Sequence, residues 1–140
     1  MSAMDSLRRA LTIAAALVLT GLWGGVSLAA VSVPWATQAG DASGDIGIAI
    51  STLPDGSSIV TGYFAGTATF GSTTLASAGN EDVFVAKIDA SGNYLWAKQA
   101  GGISMDYGNA ISTLSDGSAI VTGAFVGTAT FGSTTLASAG

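Results

Sequence analysis

The sequence predicts an all-β fold of four-stranded antiparallel units, each a 61-residue repeat, preceded by a helical signal peptide. Three observations predict it. Residues 35–79 lie on 96–140 without a gap, and 35 of those 45 positions are identical. After residue 34 the apolar and β-branched runs are short and are punctuated by Asp-Gly and Ser-Gly turns, with no helical periodicity. Before residue 30 the chain has a basic start, an uncharged apolar stretch and a small-residue exit.

Taken in order, Met1–Arg9 carries Arg8 and Arg9, and Ala10–Leu22 is uncharged and mostly apolar. Ser27-Leu28-Ala29 places small side chains at −3 and −1 of a cut after Ala29. Residues 1–29 therefore read as a signal peptide, and export to the cell surface or the medium follows. The alternative is an uncleaved anchor, because Ala10–Val33 is free of charge and long enough to span a bilayer. Residues 30–34 read as a short linker or the remnant of a closing strand. Repeat 1 then runs 35–95, and repeat 2, truncated, runs 96–140.

Within repeat 1, Gly47–Leu53 and Ser57–Phe64 flank Asp55-Gly56, a hairpin signal because glycine accepts positive φ. Asp116-Gly117 repeats it. Thr67–Phe70 and Thr73–Ser77 read as a small hairpin, Asp82–Ile88 as the strongest strand, Asp89–Asn93 with Gly92 as a turn, and Tyr94–Gln99 as the last strand. In Asp82–Ile88, apolar residues fall on both faces. A sheet that is apolar on both sides needs a neighbour on each, and repeated four-stranded units stacked in this way suggest the blades of an incomplete β-propeller. Trp35, Trp96 and Phe84 are the expected packing residues between units.

After Ala29 the only cations are Lys87 and Lys98, against Asp41, Asp45, Asp55, Glu81, Asp82, Asp89, Asp106 and Asp116. Two lysines cannot neutralise a run of phosphates, which argues against nucleic acid as a partner. Cysteine and histidine are absent, so no Cys/His zinc site, Ser-His-Asp triad or Cys-His pair can form. No cofactor or metal is expected. Asp41–Asp45 and Asp89–Asn93 are too poor in oxygens for calcium and read as Asx turns. Glu81 and Asp82 are neighbours on one strand and read as solvating its entrance. Tyr63, Tyr94 and Tyr107 are the candidates for stacking on sugar rings.

The segments DYGNAISTLSDGSAIVTGAFVGTATFGSTTLASAG and DVFVAKIDASGNYLWAKQAGG resemble the bacterial seven-bladed β-propeller (SBBP) repeat. The likeness rests on Asp106, Gly108, Asp116, Gly117, Val121, Thr122, Gly123, Phe125, Gly127 and Phe131. In the preceding segment it rests on Asp82, Phe84, Val85, Ala86, Lys87, Gly92, Trp96 and Gly101. It implies a blade on an exported bacterial protein and no common activity. Asp89, Gly92, Trp96 and Gly101 also resemble the tryptophan-docking motif of quinoprotein propellers, one residue short between Asp89 and Gly92. The sequence thus leads to two expectations for function. One is a non-catalytic exported module that binds glycan or protein, or serves as a scaffold. The other is a fragment of a propeller-scaffolded enzyme, hydrolase or quinoprotein-like. Because less than two repeats are present, self-association to complete a ring is a further expectation.

Overall fold

The computed structural model describes residues 11–14 and 34–139, and among these it is all β, with no helix. Strands β1 (Leu11–Ala14) and β2 (Ala36–Ala39) pair with each other. Then come β3 (Asp45–Thr52), β4 (Ser58–Phe64), β5 (Thr67–Phe70), β6 (Thr73–Ala76), β7 (Asp82–Ile88) and β8 (Tyr94–Gly102). The second copy supplies β9 (Asp106–Thr113), β10 (Ala119–Phe125), β11 (Thr128–Phe131) and β12 (Thr134–Ala137).

The centre is an antiparallel sheet in the order β3-β4-β7-β8. Its strands are rich in Val, Ile, Thr and aromatics, and its turns carry Gly56 and Gly92 at positive φ, which other residues rarely adopt. Gly56 takes φ +80° in the β3–β4 turn, where the Leu53 amide donates to the Ser57 carbonyl and the Gly56 amide to the Leu53 carbonyl. The sheet spans Asp45–Gly102, so it is offset from the 35–95 frame of the sequence repeat. One unit begins on the last strand of the sheet before it.

A bulge at Ile48 shifts the β3–β4 register between Gly47 and Ala49. The second copy bulges at the equivalent Asn109, opposite the Thr122–Gly123 step. The bulge throws the Ile46 carbonyl toward Gly62 and the Tyr107 carbonyl toward Gly123, so close that any β-carbon at either glycine would run into that oxygen. This explains why glycine stands in mid-strand in both copies.

Both faces of the central sheet are covered. On one, Val60, Phe64, Phe84, Ala86, Ile88 and Ala97 form the core with Ala39, Ala68 and Phe70, while Trp35, Leu75 and Tyr94 pack around it. Phe70 meets Phe84 at 4.9 Å between ring centroids. The other face carries Ile59 and Thr61, and the β9–β10 hairpin lies on it: Ser51 Oγ and Thr113 Oγ1 are 2.8 Å apart, and a β-carbon at Gly108 would meet the Thr61 hydroxyl. The expected two-sided burial is therefore present in the first copy. In the second copy the strand equivalent to β4 has no partner on its outer edge among the described residues, and several of its apolar side chains are open. Ile59 is 1% exposed and its equivalent Ile120 62%; Phe70 is 1% exposed and its equivalent Phe131 37%.

The small hairpins reach back to the preceding unit. In the first copy Thr69 bridges Gly40, next to β2. In the second, Ala129 and Thr130 pair with Gly102 and Gly101 at the end of β8, which extends the central sheet to six strands. β8 runs three residues beyond the expected Gln99 in order to make this junction.

The helix expected within the leading apolar segment is corrected at Leu11–Ala14, which form a strand. The physical reason is the open edge of β2: LTIA has two β-branched residues and satisfies the backbone groups that this edge would otherwise leave unpaired. The remainder of the signal segment, including the cleavage residue Ala29, lies outside the described residues, and so do residues 30–33 of the linker.

Candidate functional site at the junction of the two copies

Where β8 turns into β9, two backbone-bound carboxylates, Asp82 and Asp106, gather with Glu81 and two tyrosines. Asp106 is fully buried at the start of β9. Its Oδ2 accepts from the Gly102 amide at 2.7 Å and its Oδ1 from the Val126 amide at 3.2 Å. Asp45 does the same service one repeat earlier, accepting from the Asp41 amide at 2.9 Å. Each of these aspartates ties the incoming loop to the first strand of its copy. Asp82 opens β7 and accepts from the Ala78 amide at 2.9 Å, which ties down the loop after β6.

Asp82 is buried, which corrects the expectation that it solvates a strand entrance. The loop from Ala78 folds over it and β9 closes the other side. Its Oδ1 has no hydrogen-bond partner among the described residues. Gly101 makes the arrangement possible: with φ +156°, its α-carbon faces both acids, and a β-carbon there would lie 2.8 Å from Asp82 Oδ1 and 2.8 Å from Asp106 Oδ2. Those two oxygens are thus no more than twice 2.8 Å apart. Burial, with Asp106 adding charge repulsion, holds the Asp82 carboxyl above its ordinary 3.8. Burial likewise raises Asp45, with Asp41 adding to it.

Beside this pair, Tyr107 donates to Glu81 Oε2 at 2.6 Å, and this bond to a carboxylate is the main reason its phenol is pushed up to about 12. Tyr63 sits edge-on to Tyr107 at 4.7 Å. Tyr94 belongs elsewhere: it packs on Phe70 at 5.6 Å, and burial pushes its phenol up to about 12. That placement corrects its reading as an outward sugar-stacking residue.

Two hollows adjoin the junction. One, of about 150 Å³, is an apolar cleft between the central sheet and β9–β10, walled by Val83, Val85, Val121 and Phe125. It is smaller than the ~300–1,000 Å³ of ordinary ligand sites. The other, of about 440 Å³, is a more open groove along Asp82, Gln99, Gly101 and Thr128. A glycosidase uses two carboxylates across a cleft, but both Asp106 oxygens are already held by backbone amides. Two carboxylates also fall short of the ~6–8 oxygens of a calcium site. Among the described residues no three Asp or Glu side chains converge as metal ligands. The chemistry this arrangement supports is loop clamping.

The other predicted positions are spread over the fold. Trp35 is half-buried, donates from Nε1 to the Ala90 carbonyl at 3.0 Å, and lies against Gly92 so tightly that a β-carbon there would sit 2.7 Å from its ring. The tryptophan before one sheet thus docks on the Asp89–Asn93 turn of that sheet. Asp89 builds this turn by accepting from the amides of Ser91 and Asn93. Trp96 is half-buried on β8, and Phe84 is fully buried at the centre of the core. Asp55 and Asp116 accept from the Ser57 and Ser118 amides, each at 2.9 Å, as Asx turns with Gly56 and Gly117. Asp41 makes another such turn with the Ser43 amide, and its pKa is lowered chiefly by the Thr67 hydroxyl. Sequence reasoning missed the clamping aspartates. The signal was present: positions 41–48 and 102–109 differ at five of eight places, yet Asp45 and Asp106 are retained.

Replacing Asp82 by Asn is expected to raise Tm at pH 7. The folded pKa lies above the ordinary value, so ionisation costs stability above it and the cost vanishes as pH falls toward 3.8. Thermal melts of both proteins across pH 3–8 should show the gain at neutral pH shrinking on acidification. A loss at pH 7 would mean that the negative charge is needed.

No family model matches the chain, and no curated protein and no solved structure matches it.

Proposed function

We propose that this chain is an exported, non-catalytic β-propeller repeat protein of the bacterial SBBP type, serving as a binding or scaffolding module at the cell surface. The observation that carries the reading is the stacking of two near-identical units, in which the second covers one face of the first copy's sheet and the buried acids hold backbone amides. The docking of Trp35 on the next turn supports it, as does the resemblance of 35–140 to that repeat. Export rests on the basic, apolar and small-residue parts of residues 1–29, with cleavage after Ala29. The ligand class that suits an exported surface of low charge is a glycan or a protein.

The test is to express the full chain in a bacterium, determine the N-terminal residue of the exported product, and apply that product to a glycan array and a panel of glycosidase and quinone-dependent dehydrogenase substrates. The expected result is a chain beginning at Ala30 that binds without turnover. Turnover abolished by Asp82→Asn would replace this reading with an enzyme.

A further inference from the structure

The two tyrosines at the junction are not required by the repeat. Thr61-Gly62-Tyr63-Phe64 reads Thr122-Gly123-Ala124-Phe125 in the second copy, and Asp106-Tyr107-Gly108 reads Asp45-Ile46-Gly47 in the first. Identical neighbours flank each position, so the same strands form with alanine or isoleucine in place of the rings. The two departures nevertheless meet: Tyr63 of the first copy lies against Tyr107 of the second, with ring centroids 4.7 Å apart. We propose that Tyr63, Tyr107 and Glu81 form a subsite for one neutral pyranose ring. This rests on the reading of the chain as an exported binding module, and it names the ligand class and the place.

All three side chains are half-buried and keep part of their surface open. Tyr63 does so with the second copy already stacked on its sheet. Ile46 holds the Tyr107 position in the first copy and is half-buried as well, although a following copy is in place. A following unit therefore leaves this position open.

The chemistry of the cluster suits a sugar. A pyranose presents C–H groups on its faces and hydroxyls around its rim. The negative face of an aromatic ring attracts the C–H groups, and a carboxylate accepts strong hydrogen bonds from the hydroxyls. The interplanar angle of 69° makes the tyrosines an edge-on pair, which uses one ring face and restrains both rings. Tyr107 is held further by its bond to Glu81 Oε2 at 2.6 Å, which leaves Oε1 to accept from a sugar. Aromatic rings fixed before binding lose little freedom on it. Charge then selects among sugars. The buried Asp82 and Asp106 are the chain neighbours of Glu81 and Tyr107, and after Ala29 there are eight acids against two lysines. A uronate or sulfated sugar meets repulsion here, and a neutral one does not.

The test is affinity electrophoresis of the full chain through gels containing a neutral β-glucan, a neutral galactomannan or polygalacturonate, with a thermal melt of each variant. Retardation by at least one neutral polymer, and none by polygalacturonate, is expected. Tyr63→Ala and Tyr107→Ile install the residue that the other copy carries, so both should melt as the wild type does. Each should bind about five- to tenfold more weakly, as the loss of one ring contact predicts. Tyr63→Phe should keep the binding, because the ring and not its hydroxyl stacks. Retardation that Tyr63→Ala and Tyr107→Ile leave unchanged would overturn the subsite while the binding-module reading stands. No retardation by either neutral polymer, or stronger retardation by polygalacturonate, would overturn the subsite too. Cleavage of a polymer would overturn the binding-module reading itself.

Discussion

Phe84→Ala should lower stability by about 3–5 kcal/mol, the usual cost of removing a fully buried aromatic ring. Phe84 lies on the third strand of the central sheet, with Phe70 tilted against it at 44° and Ala86 and Ile88 further along the same face. The ring joins three pieces of chain: the sheet, the β5–β6 hairpin, and the Ala39 strand of the preceding unit. These pieces cannot close over the void, because the sheet register fixes β7 on both sides. Urea unfolding followed by tryptophan fluorescence measures the loss, and Trp35, which packs against this core, is a suitable reporter. A loss below about 1 kcal/mol would mean that the hairpin and N-terminal strand contribute little to the fold.

Much of this architecture is legible in the sequence, for physical reasons that can be named. Asp55-Gly56 and Asp116-Gly117 set their hairpins because local turn chemistry needs only neighbours in sequence. Asp82–Ile88 declares itself a strand covered on both sides because alternation puts apolar groups on both faces. The rest depends on contacts distant in sequence. The burial of Asp82 follows from β9 arriving beside it, which single-strand reasoning cannot anticipate. Nothing near in sequence calls for glycine at 62 and 123, and the bulge carbonyls opposite them explain the choice. Tyr94 alternates as if exposed, yet it meets Phe70 because the small hairpin folds over its sheet. Leu11–Ala14 has the composition of a membrane-targeting stretch, and an apolar β-branched segment of that kind equally well fills an open strand edge.

The repeat itself supplies an internal control for the claim that each unit is stabilised by its neighbours. Ile59 and Ile120 hold the same place in two nearly identical strands, each paired across to a serine, Ser51 or Ser112. The Ser51 side chain reaches Thr113 of the second copy, so Ile59 lies on the face that the second copy covers. Nothing among the described residues covers Ile120. Chemistry, strand position and intrinsic propensity are therefore matched, and burial by a neighbouring unit is the variable. The burial argument predicts about 2–5 kcal/mol for Ile59→Ala. It predicts no more than about 0.5 kcal/mol for Ile120→Ala, as for an ordinary surface change.

The most direct measurement is the pair of urea unfolding curves for Ile59→Ala and Ile120→Ala, at a concentration where sedimentation shows the chain to be monomeric. A large shift in midpoint for the first and almost none for the second is the predicted outcome. Equal shifts would contradict it, because the sheet would then be stable without the copy stacked on its face.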